Sequence, residues 1–151
     1  MTPDSFRSLC TSRGLRCTRQ RHAVYAALCA SKSHPTADEL FRAVRADLPG
    51  VSLATIYNTL ETFTLAGLCR RLPSAPSGPQ GNRYDADTFE HAHVMTADGR
   101  ILDLPEDLSR RLIALIPDDL IAQVRLLAGV QSTRISLQFL EDRADHPPHH
   151  E

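Results

Sequence analysis

Residues 69–85 read Cys69-Arg70-Arg71-Leu72, then the linker PSAPSGPQG, then Asn82-Arg83-Tyr84-Asp85. The linker is too rich in proline and glycine to hold regular structure. The segments on either side of it are short and partly apolar, and they can pair as the two strands of a hairpin. What such a hairpin means depends on what stands before it.

A short leading helix and three further helices stand before it. Ser52 caps one that runs through LATIYNTLETFTLAG to Gly67 and buries Leu53, Ile56, Leu60 and Phe63, with Leu68 just beyond. Its other face carries Ala54, Thr55, Tyr57, Asn58 and Thr59 and no acid until Glu61. That face suits entry into a DNA major groove, and equally the polar exterior of an ordinary amphipathic helix. Upstream, Thr36 and Glu39 form a capping box for a helix with Leu40, Phe41, Val44 and Leu48 on its buried side, ended by Pro49-Gly50. Further back, Thr18 caps a helix that buries Ala23, Val24, Ala27 and Leu28 and leaves Arg19 and Arg21 outside. Residues 3–12 form a short leading helix stopped by Gly14. Three helices followed by a two-stranded hairpin is the order of a winged helix-turn-helix, in which arginines of the wing meet phosphate.

Downstream of the hairpin the pattern changes. HVMTA and RILDL read as strands, residues 105–116 and 118–127 as helices, and STRISLQFL as a strand with Ile135, Leu137 and Phe139 on one side. The fold class is therefore α+β. A winged helix-turn-helix domain spans 1–85, with wing loop and hinge at about 73–86; a small α/β dimerisation and metal-sensing domain spans 87–142; and 143–151 form a disordered histidine-containing tail. The second domain is too small to bury its own sheet, which a two-fold dimer sharing that sheet would remedy. Such a dimer also suits a pseudo-palindromic double-stranded DNA operator.

The segment RYDADTFEHAHVMTADGRILD, residues 83–103, holds Asp85, His91, His93 and Asp103. Two imidazoles and two carboxylates suit a borderline divalent metal such as Fe(II), Mn(II) or Zn(II). On a strand, His91 and His93 would project to one face, about 7 Å apart at ~3.3 Å per residue. A turn at Ala97-Asp98-Gly99 would bring Asp103 back beside them. The same segment also reads as a hairpin with two surface histidines. Hydrolytic or oxygen chemistry at these residues would need a general base, and no H-E-x-x-H glutamate is present.

Composition bounds the class. The 151 residues carry 17 Lys and Arg against 18 Asp and Glu, but Arg7, Arg13, Arg16, Arg19, Arg21 and His22 crowd the first segment. A basic face of that kind fits a nucleic-acid contact, and also plain solvated surface. No apolar run approaches the roughly 18 residues of a membrane span, and the N-terminus shows no secretory h-region, so a cytoplasmic location without membrane contact is expected. Cys10, Cys17, Cys29 and Cys69 form no C-x-x-C pair, which argues against a disulfide framework or a thiolate zinc site.

Six short motifs agree in order and type: Arg16-x-Thr18-x-Gln20-Arg21, His34-Pro35-Thr36-Ala37-Asp38-Glu39, Ser52-Leu53-Ala54-Thr55-Ile56-Tyr57, Arg83-Tyr84-Asp85, His91-x-His93 and Gly99-Arg100-Ile101-Leu102-Asp103. Over about residues 13–104 the chain resembles the ferric uptake regulator family of dimeric winged-helix repressors, whose grip on DNA depends on bound metal. The resemblance implies a fifth ligand, His34, beside Asp85, His91, His93 and Asp103. It implies DNA contacts from Arg16, Arg19, Arg21, Ser52, Ala54, Thr55, Tyr57, Asn58, Thr59, Arg70 and Arg71. Asn58 after Tyr57, with Asp at 85 and 103, leans toward the family's peroxide-responsive branch. In that branch Fe(II) reacts with peroxide and oxidises a ligand histidine, here His34 or His91, whereas Mn(II) supports DNA binding without that chemistry and Zn(II) can occupy the site in vitro. The alternatives are an iron-, manganese- or zinc-responsive uptake regulator without peroxide sensing, and a metal-independent DNA-binding module. Relatives usually hold a four-cysteine structural zinc; Thr96, Asp98, Asp142 and Asp145 stand in those places, so no structural zinc is expected, and packing among Ile101, Leu104, Leu112, Ile116, Ile135, Leu137 and Phe139 must replace it. Glu90 and Ala92 flank His91 where ligands of an additional sensory site are usually supplied, so that site is expected to be absent.

Overall fold

A computed structural model describes residues 2–72, 81–89, 91–131 and 135–141. Its backbone contacts gather the chain into two units, one ending at Thr88 and the other running on from Phe89. The wing loop at 73–80 and the tail lie outside the described residues.

In the first unit each helix begins where a side chain can satisfy its free N–H groups. Thr2 accepts from the amide of Ser5 ahead of α1 (Pro3–Ser12), and Thr18 accepts from Arg21 ahead of α2 (Arg19–Ala30). Thr36 and Glu39 make both bonds of the capping box ahead of α3 (Ala37–Val44), and Ser52 accepts from Thr55 ahead of α4 (Leu53–Leu65). Gly67, at φ 69°, takes the left-handed conformation that lets the chain leave α4. The apolar faces meet around Phe6, Val24, Leu28, Leu40, Ile56, Leu60 and Phe63, all almost fully buried. The Tyr25 ring lies 5.4 Å from both Phe6 and Phe63, edge-on to the latter. Strands β1 (Arg70–Leu72) and β2 (Arg83–Asp85) pair antiparallel with Arg70 opposite Asp85. The other edge of β2 touches the entry to α3, where Tyr84 N donates to the Pro35 carbonyl at 3.0 Å.

One expectation here is corrected. Helix α3 stops at Val44 and does not reach Leu48. Leu48 keeps its burial and its amide bonds to the Val44 carbonyl, but Pro49 disfavours helical backbone in the residue before it.

In the second unit β3 (His93–Met95) and β4 (Ile101–Asp103) pair antiparallel through a turn with Gly99 at φ 82°. Helices α5 (Glu106–Ile113) and α6 (Asp118–Ala128) follow, and β5 (Gln138–Leu140) returns parallel to β3, giving the order β4-β3-β5. Strand β3 begins at His93, as HVMTA implied, which leaves His91 just ahead of the strand that was to carry both histidines. Two further boundaries differ from expectation. Helix α5 ends before Ile116, because Leu115 and Ile116 bond three residues back in a tightened turn and Pro117 has no N–H to continue. The last strand is confined to 138–140, with 132–134 outside the described residues. Met95 and Ile101 are buried, but Leu104, Leu112, Ile116, Ile135 and Leu137 are half-buried, Phe139 is exposed, and α6 buries none of its side chains. The packing expected of these residues is thus incomplete within one chain.

Candidate metal centre

The expected ligands fall into two groups, one in each unit. In the second unit, strand register sets Asp103 opposite His93. Asp103 Oδ1 lies 3.0 Å from His91 Nε2 and 3.3 Å from His93 Nε2. The two imidazole centroids are 4.4 Å apart. Both histidines are buried, while the Asp103 carboxylate is half open to solvent. His91 Nδ1 sits 2.9 Å from the Phe89 carbonyl oxygen. A carbonyl only accepts, so it claims the Nδ1 proton, and in the neutral ring Nε2 then carries a lone pair. That lone pair faces a carboxylate oxygen, an arrangement of acceptors that favours a cation between them. A ring nitrogen held by a main-chain carbonyl is also the usual outer support of a metal-binding histidine.

Ser109, which the sequence did not single out, ties this corner together. It is fully buried, accepts from Ala92 N at 3.0 Å, and donates to the Leu104 carbonyl at 3.3 Å. Its hydroxyl thus joins α5 to the residue between the two histidines. Only the packing of α5 shows this; a serine in the first turns of a helix is otherwise unremarkable.

In the first unit, His34 and Asp85 lie together, both about 4% exposed, with His34 Nδ1 3.7 Å from Asp85 Oδ1. The same Asp85 oxygen accepts from Asp87 N at 2.7 Å, and its second oxygen pairs with Arg70 Nη2 at 3.1 Å. This carboxylate is therefore oriented by its surroundings and faces a matching guanidinium.

The expected DNA contacts are also in the first unit. Ala54, Tyr57 and Asn58 form an exposed face of α4, and Arg16, Arg19 and Arg71 are exposed as well. Ser52 and Thr55 spend their hydroxyls on each other at the cap, 2.8 Å apart. Thr59 departs from expectation: it is buried, because α4 turns it toward the core beside Ile56 and Leu60. Arg70 and Arg21 are less available than their residue type implied. Arg70 is held by Asp85 and the Asp87 carbonyl, and Arg21 turns back to the Arg16 carbonyl at 2.8 Å. An open groove of about 330 Å³ beside α4 is lined by Tyr57, Glu61, Arg71 and Tyr84, among others.

At two of the positions where the family resemblance implied zinc-binding cysteines, the Thr96 hydroxyl bonds the Asp98 carboxylate and Arg100 Nε lies 2.8 Å from it. Thr96 and Arg100 together hold the Asp98 carboxyl below the usual range. Asp142, Asp145 and Glu90 lie outside the described residues. Among the described residues, no helix is long and apolar enough to cross a membrane.

Known proteins resemble this chain along the same outline. The peroxide-responsive repressor PerR of Staphylococcus saprophyticus is 43% identical over 101 residues, which are 66% of this chain and 66% of that protein. The chain thus spans just under two thirds of that relative. The solved ferric uptake regulator of Pseudomonas aeruginosa with manganese matches with a TM-score of 0.65 at 21% identity, over 92% of this chain and 98% of that one. The Campylobacter jejuni peroxide stress regulator matches at 0.62 and 23% identity, over 96% and 98%. Identities this low speak for the fold. The family model described as the ferric uptake regulator family matches residues 12–119, from the end of α1 across both hairpins to the start of α6, and on that ground this chain belongs to the ferric uptake regulator family.

Proposed function

We propose that the protein is a dimeric, metal-dependent transcriptional repressor that senses peroxide through oxidation of a ligand histidine. The observation that carries this reading is the convergence of His91 Nε2 and His93 Nε2 on Asp103 Oδ1, with the other nitrogen of His91 fixed on a main-chain carbonyl. Those three residues together with His34 and Asp85 offer a nitrogen and oxygen donor set suited to Fe(II) or Mn(II), with Zn(II) accepted in vitro.

Neither group is a complete coordination shell by itself, so one ion drawing on both would couple the DNA-reading unit to the pairing unit. A differential affinity of a few kcal/mol is enough to shift such an equilibrium. Bound Fe(II) would supply the electron that cleaves a peroxide O–O bond beside the imidazoles. His34 and His91 are the rings exposed to that damage, and an oxidised imidazole is a poorer donor. The reader is α4, with Tyr57 and Asn58 toward the bases and Arg16, Arg19 and Arg71 toward phosphates. In a two-fold dimer the paired α4 helices would lie about one DNA turn apart, roughly 34 Å. The exposed apolar residues of α6, Leu120, Val124 and Leu127 among them, support that dimer. No structural zinc is assigned: Thr96 and Asp98 offer no thiolate.

The test uses DNA fragments selected in vitro by the Mn(II)-loaded chain. Occupancy is expected with Mn(II) and with Fe(II), and peroxide is expected to release only the Fe(II) form, with an added oxygen atom on His34 or His91 by mass spectrometry. Peroxide-insensitive binding of the Fe(II) form would leave a metal-responsive regulator and overturn the sensing step.

A further inference from the structure

His34 is the one non-glycine residue with positive φ among the described residues, at 47°. It precedes Pro35, a neighbour that pushes the residue before it toward extended backbone. Strained backbone of this kind persists only where its surroundings over-determine it. Here the surroundings are a buried guanidinium. Arg83 is 8% exposed, and its Nη1 donates to the His34 carbonyl at 2.9 Å and to the Ser33 carbonyl at 3.3 Å. The same nitrogen lies 3.3 Å from Glu39 Oε2, which also accepts from Thr36 N at 2.7 Å. The charge of Arg83 is thereby matched, and the carboxylate that matches it is the one that starts α3.

Strand geometry turns this clamp into a presenting device. Arg83 and Asp85 are two apart on β2 and so share a face of the strand. One grips the main chain of His34, and the other meets its ring, with Oδ1 3.7 Å from Nδ1. We propose that Arg83, backed by Glu39, is a positioning residue for the regulatory metal: it holds His34 in the left-handed conformation that presents its imidazole beside Asp85 as a preformed pair of donors. The inference rests on the metal-dependent reading above.

Mn(II) affinity of the full-length chain is the readout, with the melting temperature in chelator measured alongside. Arg83→Lys, which keeps the charge but not the fork, is expected to weaken Mn(II) binding about tenfold, the usual scale for residues that orient metal ligands. Glu39→Gln is expected to weaken it severalfold, and because Glu39 is nearly half exposed this variant keeps the test available if Arg83→Lys does not fold. In a His34→Ala background both substitutions should lose their effect, since a residue acting through His34 has nothing left to position. Unchanged affinity in both single variants would overturn the inference alone, as would an equal loss in the His34→Ala background or a loss matched by a general fall in melting temperature. Failure of the native chain to bind Mn(II) at all would overturn the metal reading, and this inference with it.

Discussion

Asp103 Oδ1 lies 3.0 Å from a nitrogen of one histidine and 3.3 Å from a nitrogen of the other, and donors brought this close to one point depend on one another to hold a cation there. His91→Ala should therefore cost more than one of several ligands. A loss of at least tenfold in Mn(II) affinity is expected, on the order of 1.4 kcal/mol or more, with the melting temperature in chelator little changed. An affinity within experimental error of the native value would remove His91 from the site. Much of this corner was legible in the sequence. Residue type picked out His91, His93 and Asp103 as candidate donors, and the turn at Gly99 returned Asp103 to the histidines as expected. The strand argument for His91 was wrong in detail, since that residue precedes β3 and reaches Asp103 from an irregular segment. His34 was not legible from spacing at all. Its conformation depends on Arg83, 49 positions away, and no local pattern encodes such a contact; only the family resemblance pointed to it.

At the scale of elements, capping residues proved the surest guide, because a cap is a bond between neighbours and Thr18, Thr36 and Ser52 each make theirs. Helix ends and β5 were less legible, since they depend on packing from distant parts of the chain. On α4 the sequence reading placed Thr59 on the exposed face, but it lies at the edge of the apolar stripe and is drawn inward. Tyr57→Ala and Arg19→Ala are expected to weaken DNA binding while leaving Mn(II) affinity unchanged. A parallel fall in metal affinity would mean that reading and sensing are not divided between these residues. The packing of α2 also has a pH signature. Burial, reinforced by Cys29, pushes the Tyr25 phenol from its ordinary 10.0 up to about 12. The unfolded chain gives up this proton first, so the contribution of Tyr25 to stability is full below pH 10 and is lost as pH rises from 10 toward 12. Helical circular dichroism against pH should show that loss, and Tyr25→Phe should flatten it; an identical alkaline limb in the variant would contradict the assignment.

For the molecule as a whole, the two units differ in how complete they are. The first closes a core around Phe6, Ile56, Leu60 and Phe63. The second leaves α6 open, with Leu120, Val124 and Leu127 at helical spacing on its surface. Val124→Asp should weaken self-association by at least tenfold, on the order of 1.4 kcal/mol at a well-packed interface. Sedimentation equilibrium reads this directly, and an unaltered dimer would place the interface elsewhere. The size of the second domain pointed to a second copy, but the face that such a copy would cover was not legible, because an exposed leucine in one chain can be a buried one in two. The proposed repression depends on metal coupling the reader to the pairing unit. It is tested most directly by the occupancy of a selected DNA fragment by the Mn(II)-loaded chain, measured before and after a chelator removes the ion. Loss of occupancy on chelation, with recovery when Mn(II) is restored, is the predicted result; occupancy that chelation leaves untouched would contradict it.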